Sequence, residues 1–339
     1  MAGVGTNYVT LSDMSTQTDP DGSLASRIVS RVARQNDLIS MLPFTKGNRS
    51  DGDQITNLTS LPTIGYIKIN KAPTFSKAGH SQITNTVGII KVLNKVDPEL
   101  AKRYPNPEQY RINKDIAFTE AIRQQVASDV VYANKATTPE KFDGLAVRYG
   151  TVSTVRNNPG YYMIDGAGAG SDNMSIWLAK VGPEGLHGIV GKESEPGLTT
   201  KDKGVHWLPD ASGNSMEWMV TEFRWELGIQ VANPGAVVRI CNIDKSNLIA
   251  ESSAADLSKL IFRAQELLED VPGQGVILCN KTARAHLAIQ ASTETTLGLT
   301  DKNATFAEKV PSINGMPVLL MDALTGAEAE ITGTFSSDI

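Results

Sequence analysis

The sequence predicts an α+β fold, and three observations carry that expectation. Two strand-like runs, IGYIKIN at 64–70 and SQITNTVGIIKVL at 81–93, flank the connector KAPTFSKAGH and read as a long hairpin. Residues 113–134 carry the longest helical signal in the chain. Residues 145–250 are mostly strand-like. With 339 residues, 40% hydrophobic and 20% charged, the chain can bury a core of its own without disulfides or metals.

Composition excludes several classes of function. Net charge is −5, from 32 basic and 37 acidic residues, and a protein that chiefly grips nucleic acid needs a basic footprint instead. Cys241 and Cys279 lie in apolar runs without metal-like spacing, so a reducing compartment and no disulfide framework are expected. Met1 is followed by polar residues, so no secretion signal is expected. No apolar stretch approaches the ~18–20 residues that cross a bilayer, so no membrane partner is expected.

Taken in order, residues 1–22 are polar, end in DPDG, and read as a loose N-terminal arm. Ser23 is placed to cap a helix with Leu24, Ile28, Val32 and Ile39 on one side. Arg27, Arg31 and Arg34 form its other side, a solvated face or a partner contact. GNRSDGD at 47–53 reads as a turn; Asp51 and Asp53 lack the further carboxylates of a calcium loop. The hairpin follows, its connector carrying Lys71, Lys77 and His80. A lone two-stranded hairpin is marginally stable in water, so this one needs a surface to lie on, such as another chain.

After the proline-punctuated RYPNPEQY, the helix of 113–134 places Ile112, Ile116, Ile122, Val126 and Val130 on a stripe, with Glu120, Arg123 and Asp129 in solvent. In TEFRWELGIQV (221–231), Phe223, Trp225, Leu227, Ile229 and Val231 alternate with Glu222, Arg224, Glu226 and Gln230, which predicts a sheet covered on one side. Trp218 and Trp225 read as core residues rather than a base-stacking platform. At 252–273 helical spacing returns: Ser253 and Asp256 resemble a capping box, Leu257, Leu260, Ile261, Ala264 and Leu268 form the buried stripe, and Pro272-Gly273 ends the helix. A strand at 275–280 ends on Asn280, placed to cap a further helix. Asn314-Gly315 between apolar runs predicts a tight turn, and Pro317 a strand at a sheet edge or start.

Residues with enzymatic potential are few. The apolar run 161–164 leads into Gly166, Gly168 and Gly170, but Ser171 stands where GxGxxG needs its third glycine, and the following MSIWLAKVG is strand-like. Strand, turn and strand offer no helix N-terminus to a phosphate, so a flexible hairpin turn is expected. His80, His187, His206 and His286 show no paired metal spacing, and neither a P-loop nor a nucleophile elbow occurs. No catalytic residue, metal site or cofactor is expected.

The ordered parts resemble the major capsid proteins of tailed bacteriophages, the Hong Kong 97 type of fold, and most nearly those of the epsilon15-like short-tailed phages. The segments that carry the resemblance are SLPTIGYIKINKAPTFSKAGHSQIT, YANKATTPEKFDGLAVRYG, SIWLAKVGPEGLHGIVGKESEPGL, EFRWELGIQVANPGAVVRICNID and INGMPVLLMDAL, which together cover most of 55–324. The resemblance implies an N-terminal arm and helix in 1–54, and an extended β-hairpin loop with linker in 55–111. It implies a spine helix and the start of a peripheral domain in 112–144, an axial domain in 145–292, and a return to the peripheral domain with a C-terminal tail in 293–339. Tyr66, Lys68, Lys71, Phe75, Lys77 and His80 are then candidates for contact with a neighbouring subunit. It further implies a non-enzymatic shell protein of the virion, made in the host bacterial cytoplasm. Such a protein forms pentamers and hexamers around double-stranded DNA, with cement or decoration, scaffolding and portal proteins as partners. Two other readings stay open: an encapsulin-like compartment shell, and a nucleotide-binding enzyme using the 166–170 turn.

Overall fold

The computed structural model describes residues 36–103, 106–209, 213–252, 254–293 and 312–336, with side chains to residue 290 in the helix that ends at 293. The expected N-terminal arm, the first turns of the helix after Ser23, its arginine face, the Ser253 box and residues 294–311 and 337–339 lie outside the described residues. In chain order the elements are α1 (Leu38–Met41), β1 (Phe44–Lys46), β2 (Gly52–Ser60), β3 (Gly79–Thr86), β4 (Gly88–Val96), α2 (Pro98–Ala101) and α3 (Pro107–Tyr132). Next come α4 (Leu145–Arg148), β5 (Met163–Asp165), β6 (Asn173–Val181), β7 (Leu186–Val190), β8 (Thr199–Pro209), β9 (Ser215–Val231) and β10 (Val237–Asp244). The chain closes with α5 (Lys245–Ala250), α6 (Leu257–Leu267), β11 (Gln274–Cys279), α7 (Lys281–Thr293), β12 (Ser312–Ile313) and β13 (Met316–Leu320). These elements form two compact units, each described by itself.

The smaller unit holds Ile89–Val126 and Gly197–Glu226. Its helix α3 starts at Pro107, six residues before the expected start. The proline that looked like a breaker occupies the first turn, where its missing N–H has no partner to lose, and Asn106 Oδ1 accepts from Gln109 N at 3.2 Å. The helix lies on one face of β4 and β9. Phe118 stacks on Phe223 with centroids 5.9 Å apart, Asn94 donates to Asp115 Oδ1 at 2.7 Å, and Met219 packs on Val96, Leu100, Ala101 and Tyr110. Burial pushes the Asp115 carboxyl up, against the pull of the Asn94 hydrogen bond. Ile112 and Ile116 are more than half exposed, against expectation. The six-residue step from Ile116 to Ile122 turns about 240° around a helix, so the two isoleucines leave the face that Ile122 and Val126 bury. Arg111 grips the β8–β9 pair, donating to Asp202 at 2.9 and 3.1 Å and to Thr221 Oγ1 at 3.2 Å. The guanidinium, with the Gly204 N–H at 2.8 Å, holds the Asp202 carboxyl below its usual range.

The larger unit holds the hairpin β2–β3, Ala127–Pro196 and the chain from Leu227 onward. Its central strand β6 is buried along nearly its whole length, with β10 antiparallel on one edge and β11 antiparallel on the other. The end of β9 pairs with β7, Leu186 opposite Val231. Glu226, the last β9 residue of the smaller unit, and Gln230 in this unit were both expected in solvent, yet successive β9 residues from Glu226 to Val231, which alternate between faces, are all buried. Asp129 is buried as well, since Lys141 reaches its carboxylate at 2.7 Å. Helix α6 packs on β10 and α7 on α5, α6 and β13. Asp256 caps α6 by accepting from Lys259 N at 3.1 Å, and Asn280 caps α7 by accepting from Ala283 N at 2.8 Å. Asn314 and Gly315 both take positive φ, 47° and 79°, in the expected tight turn between β12 and β13. Cys241 and Cys279 are buried free thiols, each pushed up to about 12 by burial.

The C-terminal segment is tied to this sheet by a buried ion pair. Arg239 and Glu328, with side chains 5% and 9% exposed, meet at 2.8 Å. Tyr132 donates to the other Glu328 oxygen at 2.6 Å and Ser175 donates to the paired one. Arg239 also donates to Ser175 Oγ at 3.1 Å and Tyr149 O at 2.8 Å, and lies over the Trp177 ring at 5.0 Å. Asn242 adds a reciprocal pair with the Ile331 backbone at 2.8 and 2.9 Å.

Candidate assembly surface

The hairpin begins where Gly52 crosses β3. Its φ is 151°, and a Cβ would sit 1.9 Å from Asn85 O, so glycine is required there. The preceding GNRSDGD is the expected turn. Asn48 Nδ2 donates to Gln54 O at 2.8 Å, Asp53 accepts from Asn48 N at 3.0 Å, and Asp51 pairs with Arg49 at 2.9 Å. Strands β2 and β3 pair antiparallel from Gly52 opposite Thr86 to Ser60 opposite Gly79.

Beyond Ser60 the structure corrects the expected strands. Residues 64–70 form no strand, and the run 81–93 is broken at Val87 between β3 and β4. Two unpaired limbs, 61–67 and 72–78, flank a tip at Lys68–Lys71, where Lys71 N donates to Lys68 O at 3.1 Å and Asn70 takes φ 70°. Pro62 and Pro73 withhold backbone donors from the limbs, which explains why the ladder stops. Thr63 N instead donates to Ser76 Oγ at 2.7 Å.

All six candidate contact residues lie exposed on this projection. Tyr66 and Phe75 are 110% and 103% exposed, and Lys68, Lys71, Lys77 and His80 are open to solvent. Leu61, Ile64, Ile67 and Ile69 join them. Sequence patterning missed these four and also Val205 and Trp207, exposed on β8 of the other unit. A strand alternation that looks half-buried does not reveal whether its own chain supplies the cover.

The hairpin is anchored by side chains at both ends of its ladder. Asn157 Nδ2 donates to Thr59 O at 2.8 Å and Leu58 O at 3.4 Å. Arg148, buried and thereby shifted down, donates to Asn85 Oδ1 at 2.7 Å and Ile229 O at 3.1 Å. A cavity of about 300 Å³ beside the outer half of β2 is lined by Thr56, Arg156, Tyr162, Asn233 and Glu269, among others. Tyr162 donates to Glu269 at 2.5 Å and holds its carboxyl below the usual range, helped by Asn233 at 3.0 Å. Replacing Asn157 with alanine is expected to loosen the outer end of the β2–β3 ladder by about 1 kcal/mol. Amide hydrogen exchange in β2 and β3 should then speed up about fivefold; an unchanged rate would show that the anchor contributes nothing.

The glycine run packs closely on β10. Gly166 N and Gly168 N donate to Cys241 O at 2.8 Å and Asn242 O at 2.7 Å, and a Cβ at either glycine would lie 2.6 Å from Asn242 O. It is not a hairpin turn: β5 and β6 pair with opposite edges of β10, parallel and antiparallel, so the segment crosses the end of that strand. Among the described residues no group of His, Cys, Asp and Glu is arranged to hold a metal ion. His187 is buried, and burial lowers its pKa.

A family model described as major capsid protein GP7 matches residues 19–332. A chain of the near-atomic-resolution structure of bacteriophage epsilon15 superposes with TM-score 0.78 at 26% identity, covering 98% of this chain and 100% of that one. The capsid of bacteriophage JBD30 aligns at TM-score 0.46 and 11% identity, over 93% and 99% of the two chains. The holo-SrpI encapsulin complex of Synechococcus elongatus aligns at TM-score 0.44 and 12% identity, over 69% and 96%. No curated protein matches the chain. The expected α+β architecture of Hong Kong 97 type is the one observed. The chain belongs to the major capsid protein GP7 family and is a structural protein of a phage capsid shell.

Proposed function

We propose that this protein builds a closed icosahedral shell around the double-stranded DNA of a tailed phage, with the 61–78 loop of each copy lying over a neighbour. One observation supports this most: six large apolar side chains from Leu61 to Phe75 stand in solvent on limbs that their own chain leaves unpaired. Soluble monomers rarely expose a contiguous apolar patch of this kind without a partner for it. Burying Tyr66 and Phe75 against a second copy contributes about 1.5–3 kcal/mol each, repeated at every subunit contact. Tyr66, Lys68, Lys71, Phe75, Lys77 and His80 are the proposed contact residues.

In this reading 1–54 forms the arm, 55–111 the extended loop and linker, 112–144 the spine helix and start of the peripheral domain, 145–292 the axial domain, and 293–339 the peripheral return. Axial contacts close pentamers and hexamers, while scaffolding, portal and cement or decoration proteins act with the shell. Synthesis takes place in the host cytoplasm, and the chain carries no catalytic activity. Electron microscopy of the purified protein tests the proposal: closed particles or rings of five and six are expected, and DNA rather than protein inside particles from infected cells. A chain that stays monomeric under all native conditions would defeat it.

A further inference from the structure

From Gln54 to Val87 the chain contains Lys68, Lys71 and Lys77 and not one aspartate or glutamate. The rest carries 29 basic against 37 acidic residues, so an anionic protein concentrates an unbalanced +3 on its hairpin. The tip turn brings Lys68 and Lys71 together, and Lys77 follows Ser76, whose hydroxyl joins the two limbs. All three lysines are exposed, and none forms an ion pair among the described residues. Their neighbours include the exposed Ile67, Ile69 and Phe75, a mixture that suits a partner both apolar and negatively charged, since a lysine stem lies along apolar surface while its head reaches a charge.

We infer that the three lysines steer the hairpin of one copy onto an anionic face of a second copy, so that assembly is driven by charge complementarity between hairpin and body. This rests on the reading of the loop as an inter-subunit arm. Two bodies that each carry excess acid repel, and the hairpin is the segment whose sign opposes that repulsion. Complementary charge of this kind acts mainly on the rate and register of encounter, and salt removes it. Phosphates of packaged DNA would be attracted by the same lysines, and that outcome is distinguishable.

The test compares full-length wild type with the triple variant Lys68→Gln, Lys71→Gln, Lys77→Gln, following assembly by light scattering as ionic strength rises to about 1 M, where the screening length is about 3 Å. Using the ratio of the two rates removes the body's own salt response. At low salt the wild type should assemble about tenfold faster, with the ratio falling towards one at high salt. The corresponding triple glutamate variant should be slower still at low salt, and circular dichroism should show all three chains equally folded. A ratio of one at every salt overturns the inference, as does equal assembly combined with loss of binding to a short DNA duplex, which assigns the lysines to phosphate. A chain lacking the loop tip separates the two levels. If it assembles, the inter-subunit role of the loop falls; if it does not, while the glutamine variant matches wild type throughout, the charge inference alone falls.

Discussion

A chain in which an Asn-Gly turn replaces residues 62–77 is expected to fold and to form no shells. Among the described residues the replaced segment bonds within itself, at Thr63–Ser76 and Lys68–Lys71, so the described fold keeps its own hydrogen bonds. The last strand pair, Ser60 with Gly79, remains and is closed by a four-residue connection, a length hairpins accept. Shortening the loop changes the closure entropy by only about 1–2 kcal/mol, and in the favourable direction. What disappears is the exposed apolar and cationic surface that a neighbour would cover. Sedimentation should show subunits or small rings with native circular dichroism, and particles of normal size would rule out the loop as the arm between copies. The cut must avoid β3. A wider excision such as 66–88 would take Asn85 away from the buried Arg148 guanidinium and confuse misfolding with failed assembly.

Replacing Glu328 with alanine is expected to have the largest effect on the subunit itself. Arg239 would be left with a charge that is almost fully buried, and Tyr132 and Ser175 would lose their common acceptor. Breaking a buried pair from one side typically costs about 3–5 kcal/mol, far more than the net worth of the pair, because the remaining charge stays desolvated. The midpoint of guanidinium unfolding should fall accordingly, and hydrogen exchange at 325–336 should rise as the C-terminal segment leaves the sheet. Glu328→Gln should lose less, since an amide oxygen still accepts from Arg239. An alanine variant with the wild-type midpoint and unchanged exchange would show that the segment is held by its backbone contacts alone.

Local signals read well wherever one residue decides the outcome. Asn280 as a helix cap, Asn314-Gly315 as a tight turn and the Leu257–Leu268 stripe all stand as the sequence suggested, because each depends on neighbours a few positions away. Local pattern and structure part where distant segments decide. Glu226 and Gln230 follow a half-exposed alternation yet are buried, since β9 is covered on both faces only towards its end. The 166–170 glycines make a close crossing over the end of β10, which depends on a strand some 70 residues away.

Of the proposed assembly surface, the sequence marked the projection and six of its residues, and the resemblance supplied the role proposed for them. It misplaced the strands, because IGYIKIN has the composition of a strand and only the missing ladder partner shows otherwise.

By itself, then, the sequence determined the class of the fold, the capped helices and turns, the absence of acid from 54–87 and the family likeness, all of them local or cumulative properties of residue order. Only the tertiary structure decided where the hairpin stops pairing, that Ile112 and Ile116 face outward, and that Arg239 and Glu328 share one buried site. Burial and pairing are set by which distant segments meet, and a one-dimensional pattern records a side chain's preference for cover without recording what covers it.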